Sequence, residues 1–275
     1  MNGFAPYISS IIQTAKVLDA AGIEWDFWEH SGDSYVDRAR NNICSRFLST
    51  SFTDLLFIDS DMSWDPIGLQ HILSSPYELT GAAYPCKNNW DIFGEKLLYD
   101  SDHAPVQDPI TGLLEAQWLP GGFLRMKRSC LEKMSEAYKD DWYHAADCKP
   151  KEKLDDDDPC RKVINLFECK VQDGNRYGED IMFCKKWIAI GGKCYLEPRI
   201  TFGHSGMKTW TNNFDEHLRK QATQEHINRS FLNIELDRIA QCNNRLESAI
   251  NSQEVDIFTD SSLDIRTVEY AMPRL

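Results

Sequence analysis

Residues 55 to 66 read LLFIDSDMSWDP. Four apolar residues, Leu55 to Ile58, run directly into Asp59, Ser60 and Asp61. A short apolar run bounded by polar residues predicts a buried strand over 54–59. Its end then carries two carboxylates two positions apart. Like charges that close repel, and burial makes each costlier. Positive charge is therefore expected between them. Asp65 suits a helix cap and Pro66 a first helical residue, so a helix is expected to start where this stretch ends.

The flanking sequence extends the pattern. Residues 7–21 have helical spacing, with Gly22 as a stop. IEWDFWE, 23–29, alternates like a strand. Asp33 or Ser34 is placed to cap a second helix running to about Leu48. ELTGAAY, 78–84, reads as another strand. The order helix, strand, helix, strand, helix, strand predicts an α/β layer with a mostly parallel sheet. Beyond Tyr84 strands are expected over 113–119, 122–127, 162–170 and 193–198, with helices over 129–138 and 178–192. Residues 139–160 read as a polar loop, including LDDDDP at 154–159. Residues 214–250 read as a long helix with apolar positions at Ile227, Phe231, Ile234, Ile239, Leu246 and Ile250, suited to packing on the domain or on a second subunit. The expected organisation is a domain over 1–212 and a C-terminal helical extension over 213–275.

Bulk properties limit the classes. The chain has 275 residues and is 42% hydrophobic, enough for a sizeable core. No run approaches the roughly 18 apolar residues of a membrane span. The first residues, MNGFAPYISS, lack a basic region followed by an apolar stretch, so a cytoplasmic protein is expected. Nine cysteines, an odd number without a C-x-x-C pair, read as reduced thiols. A zinc site from Cys148, Cys160, Cys169 and His144 is a minor alternative with irregular spacing. The net charge of −13 argues against broad, non-specific nucleic-acid binding.

Three other stretches bear on Asp59 and Asp61. In extended backbone these two side chains point the same way and suit a shared Mg²⁺ or Mn²⁺. The simpler alternative is an acidic turn. DRARNNI, 37–43, offers Arg40 for a phosphate or for one of the aspartates. YGEDIMFCKKW, 177–187, puts Glu179 and Asp180 at a helix start, where acid is tolerated and a carboxylate can also accept a hydroxyl proton. FGHSG, 202–206, offers His204 as a metal ligand or as a structural histidine.

Taken in order, A-R-N at 39–41, D-S-D at 59–61, LTGAAYPCK, WLPGGFLRMKRSCLEKM, GEDIMFCKKWIAIGGKCYLEP and GHSG resemble a nucleotide-sugar-dependent glycosyltransferase of the GT-A fold. The likeness covers about residues 5 to 206 and is nearest to small family-two-like enzymes of phages and large viruses. It implies a Rossmann-like, mostly parallel central sheet with flanking helices and a cytoplasmic site, host cytoplasm if viral. It implies Asp59, Ser60 and Asp61 on metal and donor diphosphate, with His204 completing the metal site. Glu179 and Asp180 match the acidic pair whose aspartate is the base in inverting members. Arg40 would approach the nucleotide. Gly121 and Gly122 would line the sugar pocket, with Trp118 as a stacking wall. The likeness does not extend to the family's first apolar strand: only MNGFAP precedes the first helix, and no base is assigned.

The expected activity is metal-dependent transfer of a sugar from a nucleotide-diphosphate sugar to an acceptor hydroxyl on a glycan, a protein, a lipid-linked sugar or modified DNA. A DNA acceptor would need Lys87, Arg125, Lys127, Arg128, Lys185 and Lys186 to line one groove. A homo-oligomer through the C-terminal helix is the expected assembly, if any. The alternatives are a nucleotidyltransferase of similar fold, a haloacid-dehalogenase-like phosphatase and a non-catalytic scaffold.

Overall fold

The computed structural model describes residues 4–87, 89–145, 162–206 and 209–226. Helices α1 (Phe4–Ala20) and α2 (Val36–Leu48) come first, then strands β1 (Asp54–Ile58) and β2 (Met62–Trp64) and helix α3 (Pro66–Leu73). Strands β3 (Leu79–Gly81), β4 (Pro85–Cys86), β5 (Asn89–Phe93), β6 (Lys96–Leu97), β7 (Leu114–Trp118) and β8 (Phe123–Lys127) lead to helix α4 (Arg128–Ala137). Then follow β9 (Trp142–His144), β10 (Lys162–Ile164), β11 (Lys170–Gln172), β12 (Asn175–Tyr177), helix α5 (Glu179–Ala189), β13 (Cys194–Leu196), β14 (Thr201–Ser205) and β15 (Thr209–Asn213). A sixth helix starts at 214 and is described through 226. The chain divides into compact units at 1–219 and 220–275. The boundary falls after the expected 212 because Phe214, in the first turn of that helix, is buried in the core of the first unit. The remainder of the expected extension, its apolar positions from Ile227 onward, the 154–159 acidic run, and Cys148 and Cys160 lie outside the described residues.

The fold is mixed α/β. The main sheet has six strands in the order β1-β8-β3-β13-β7-β6. Only β3 and β13 pair in parallel; the other four ladders are antiparallel. The expectation of a mostly parallel sheet is thus corrected. Strands β1, β3 and β13 share a direction, but β8 runs the other way between β1 and β3. A second correction concerns 23–29, which forms no strand. Alternation is not enough without a ladder, and Ile23, Trp25 and Phe27 of this segment remain exposed. On its other side β1 has no paired strand among the described residues. The expected 162–170 strand is also broken: β10 pairs with β9, and β11 pairs with β12.

Helices cover both faces. Cys44 and Phe47 of α2, Leu131 and Met134 of α4, and Phe183 and Trp187 of α5 pack with Leu55, Phe57 and Met126 of the sheet. Leu18 of α1 and Leu69 and Ile72 of α3 pack with Met62, Trp64, Phe123 and Phe202. This smaller core holds a three-stranded sheet, β15-β14-β2, to the first. Local signals explain the helix ends. Gly22, with φ of 66°, ends the turn after α1. Asp65 accepts from the Ile67 N–H at 3.1 Å and caps α3, with Pro66 behind it as expected. Asp33 does not cap α2; it accepts from the Tyr35 N–H and grips Arg38 instead.

Candidate active site at the strand ends

The shared direction of β1, β3 and β13 brings their carboxyl ends to one side of the sheet. Asp59 follows β1, Tyr84 and Lys87 follow β3, and the Gly121–Gly122 turn precedes β8 at the same end, where the Asp59 N–H donates to the Gly122 carbonyl at 3.0 Å. In open α/β sheets such an end is where ligands bind.

Arg40 lies at the centre. It is on α2 and is 5% exposed. Its Nη1 donates to Glu179 Oε1 at 2.9 Å and its Nη2 to Asp59 Oδ1 at 3.2 Å. The Phe57 and Phe167 rings flank its guanidinium at 5.8 and 5.9 Å. Burial works against the Arg40 charge, yet Asp59, Glu179 and Asp180 together hold it more firmly protonated than usual. Burial raises the Glu179 carboxyl, and Arg40 offsets only part of that. Next in sequence, Asn41 fixes the Phe167 segment by accepting from its N–H and donating to its carbonyl, both at 2.8 Å.

The two glycines follow from this packing. A Cβ at Gly121 would sit 1.7 Å from Arg40 Nη1. A Cβ at Gly122 would sit 2.5 Å from Tyr84 Oη and 2.9 Å from Asp59 Oδ2. Their backbone is used as well. The Gly121 N–H donates to Asp180 Oδ2 at 3.1 Å, and the Gly122 N–H to Tyr84 Oη at 3.0 Å. Burial and the nearby Asp59 push the Tyr84 phenol well above its ordinary range, so it stays protonated.

Asp59 and Asp61 do not share one positive partner. Asp59 faces Arg40, whereas Asp61 Oδ2 is held by the Lys87 ammonium. The expectation of charge between the pair becomes one cation for each. Asp61 Oδ1 is buried and has no hydrogen-bond partner. It faces His204 Nε2 at 3.6 Å. The other imidazole nitrogen, Nδ1, lies 2.8 Å from the Pro85 carbonyl. A carbonyl only accepts, so Nδ1 carries hydrogen and Nε2 is turned toward Asp61. Burial alone would raise the Asp61 carboxyl; His204 and Lys87 hold it at about 2.

Among the described residues no group of three or more His, Cys, Asp or Glu side chains is placed to hold a metal ion. Two donors do face each other, however: the unpartnered Asp61 Oδ1 and His204 Nε2. Such a pair fits a hard divalent cation that takes its remaining oxygens from a ligand and water.

Other expected residues lie elsewhere or have other work. Ser60 is exposed in the β1–β2 turn. Trp118 packs against the main core and carries the Lys96 ammonium 4.9 Å from its ring centroid. The six cations required for a DNA groove are each engaged within the protein. Arg125 and Lys127 do share a face, but both donate to carbonyls of 75–77. Arg128 donates to carbonyls of α2 and the turn after it. Lys186 is buried against Asp141, Glu168 and the Asn165 carbonyl. Lys185 lies over the Tyr177 ring and Lys87 holds Asp61. Tyr84 and the local role of Lys87 were not anticipated. Their signal was available: both follow the third strand into the same crevice as Asp59.

No protein-family model matches the chain, and no curated protein matches it. Among solved structures, the one described as "Crystal Structure of A197 from STIV" is similar over 73% of this chain and 87% of that one. Identity is 17% and the TM-score is 0.39, a likeness on which no argument rests. No helix among the described residues is long and apolar enough to cross a membrane.

Proposed function

We propose that the chain is a divalent-cation-assisted glycosyltransferase of GT-A type, moving a sugar from a nucleoside-diphosphate donor to an acceptor hydroxyl. The observation that carries this reading is the gathering of acidic and basic groups from four distant stretches at one end of the sheet. Arg40 joins Asp59 to Glu179, and the unpartnered Asp61 oxygen faces His204.

Asp61 Oδ1 and His204 Nε2 would hold the cation. Bound there, it would supply positive charge to a diphosphate leaving group. Asp59 belongs to Arg40 and serves as an anchor for the turn that carries Asp61. Asp180 is the candidate base. Its Oδ2 is oriented by the Gly121 N–H and its Oδ1 by the Ile181 N–H, which fixes the carboxylate while leaving lone pairs to accept a proton. As the acceptor oxygen bonds to the anomeric carbon, the bond from that carbon to the diphosphate oxygen breaks and the hydroxyl proton passes to Asp180. Glu179 positions Arg40 rather than moving a proton. The acceptor is a hydroxyl on a glycan or a protein; the engagement of Arg125, Arg128 and Lys186 within the protein argues against DNA.

The test is a screen of nucleotide sugars for Mn²⁺-dependent hydrolysis or transfer. Asp61→Ala and Asp180→Asn should each lower turnover by about 100-fold or more. Full activity of Asp61→Ala in the presence of chelator removes the cation role, and full activity of Asp180→Asn removes the base. Pyrophosphate as product in place of a transferred sugar would point to nucleotidyl transfer. Absence of any thermal shift with nucleotides, with or without Mn²⁺, would point to a scaffold.

A further inference from the structure

The two oxygens of Asp61 differ in their surroundings. Oδ2 is in contact with the Lys87 ammonium, whereas Oδ1 is buried, unpartnered and turned to His204. Lys87 is in the turn after β4, and its side chain is 44% exposed. It can therefore swing away from the crevice at little cost in packing. Asp61 is its described partner. A divalent cation between Asp61 Oδ1 and His204 would share one carboxylate with this ammonium. Like charges that close disfavour each other. The arriving cation and Lys87 cannot both keep Asp61 at full strength.

We propose that Lys87 is a displaceable counter-ion: it neutralises Asp61 in the absence of a divalent cation, is expelled when one binds, and then takes an anionic phosphate oxygen of the ligand. This inference rests on the cation site proposed above. Cation and anion then bind with positive coupling. The cation frees an ammonium beside the crevice, and the anion gives that ammonium a new partner. Reciprocity requires the anion to strengthen cation binding by the same factor. Lys87 is here a ligand-binding residue and takes no part in bond making.

The experiment uses the full chain and Mn²⁺ alone, with free Mn²⁺ followed by its electron paramagnetic resonance signal. Lys87→Met should bind Mn²⁺ roughly five-fold tighter than the unsubstituted protein, the scale of one partly exposed ion pair. At saturating Mn²⁺, where every protein meets the same Mn²⁺–pyrophosphate complex, Lys87→Met should bind pyrophosphate roughly ten-fold more weakly. Lys87→Arg keeps the charge and should stay near the unsubstituted protein in both measurements. Equal Mn²⁺ affinity in Lys87→Met and the unsubstituted protein, both lost in Asp61→Asn, overturns the counter-ion role and leaves the cation site standing. Tighter Mn²⁺ binding with unchanged pyrophosphate affinity overturns the hand-over to the anion. No Mn²⁺ binding by any of the proteins overturns the cation site and this inference together.

Discussion

Burying a guanidinium is costly unless its donors are matched. Arg40 is matched twice, by Glu179, whose side chain is 13% exposed, and by Asp59, whose side chain is 46% exposed. The buried partner matters more, because an exposed carboxylate is screened by water. Arg40→Met should therefore cost about 3–5 kcal/mol in urea unfolding, since it strands Glu179 without a counter-charge. Adding Glu179→Gln should recover part of that loss, which a double-mutant cycle will show. Arg40→Lys should rescue poorly, because one ammonium lacks the fork that reaches two carboxylates. Gly121→Ala should cost about 3 kcal/mol by the same route, since its methyl would occupy the place of Nη1. How legible was this in the sequence? Arg40, Glu179, Asp59, Asp61 and His204 each stood out by residue type and position. Their partners did not. The pairing of Arg40 with Glu179 spans most of the domain, and only the packing of α2 beside the start of α5 reveals it. The resemblance puts Gly121 and Gly122 in the lining of a sugar pocket. In the structure the space that a Cβ would need at these positions is taken by Arg40 and Tyr84.

At the scale of elements, signals confined to neighbouring residues were readable. The Asp65–Pro66 start of α3, the glycine after α1 and the apolar run of β1 all form where the sequence placed them. Errors arose where the outcome depends on a neighbour distant in the chain. Segment 23–29 alternates correctly but has no strand to pair with. Strand β1 accordingly has an open side among the described residues. The geometry of its one ladder fixes which amides face that side. The Arg128 N–H donates to the Thr53 carbonyl and the Asp59 N–H to the Gly122 carbonyl, so the odd-numbered residues of β1 face β8. By antiparallel alternation, the amides of Leu56 and Ile58 point away from it. Hydrogen exchange read by NMR should show Leu56 and Ile58 exchanging about 100-fold faster than Leu55 and Phe57. Comparable protection at all four would mean that another strand completes this edge. The same reasoning accounts for the sheet's mixed direction. Periodicity predicts strands but not their order, and β8 entering between β1 and β3 is a tertiary outcome.

For the whole molecule, three carboxylates held low contribute to the acid limit of stability: Asp61 at the strand ends, and Asp33 and Asp108 in loops. Asp33, in the loop before α2, accepts from Arg38 through Nε at 3.0 Å and Nη2 at 2.6 Å, and from the Tyr35 N–H. These bonds hold it at about 2. Asp108, in the loop between β6 and β7, accepts from the Tyr77 hydroxyl at 2.5 Å and from Thr111, and it too is held at about 2. An ordinary aspartate titrates near 3.8. As pH falls below about 4, the unfolded chain takes up protons at these three carboxylates before the folded chain does. The stabilisation is thus complete above pH 4 and is lost as pH falls through about 2. Glu179 acts in the opposite sense. Burial raises its carboxyl, so its contribution is complete below the ordinary glutamate range and declines as pH rises through its folded value. Thermal melts should therefore show a steep loss of Tm between pH 4 and pH 2. The double variant Asp33→Asn/Asp108→Asn should start lower at pH 7 and flatten that limb. Glu179→Gln should leave the limb below pH 4 nearly unchanged and alter the slope above it. A limb that stays steep in the double variant would assign the acid transition to Asp61 at the site and not to the loops.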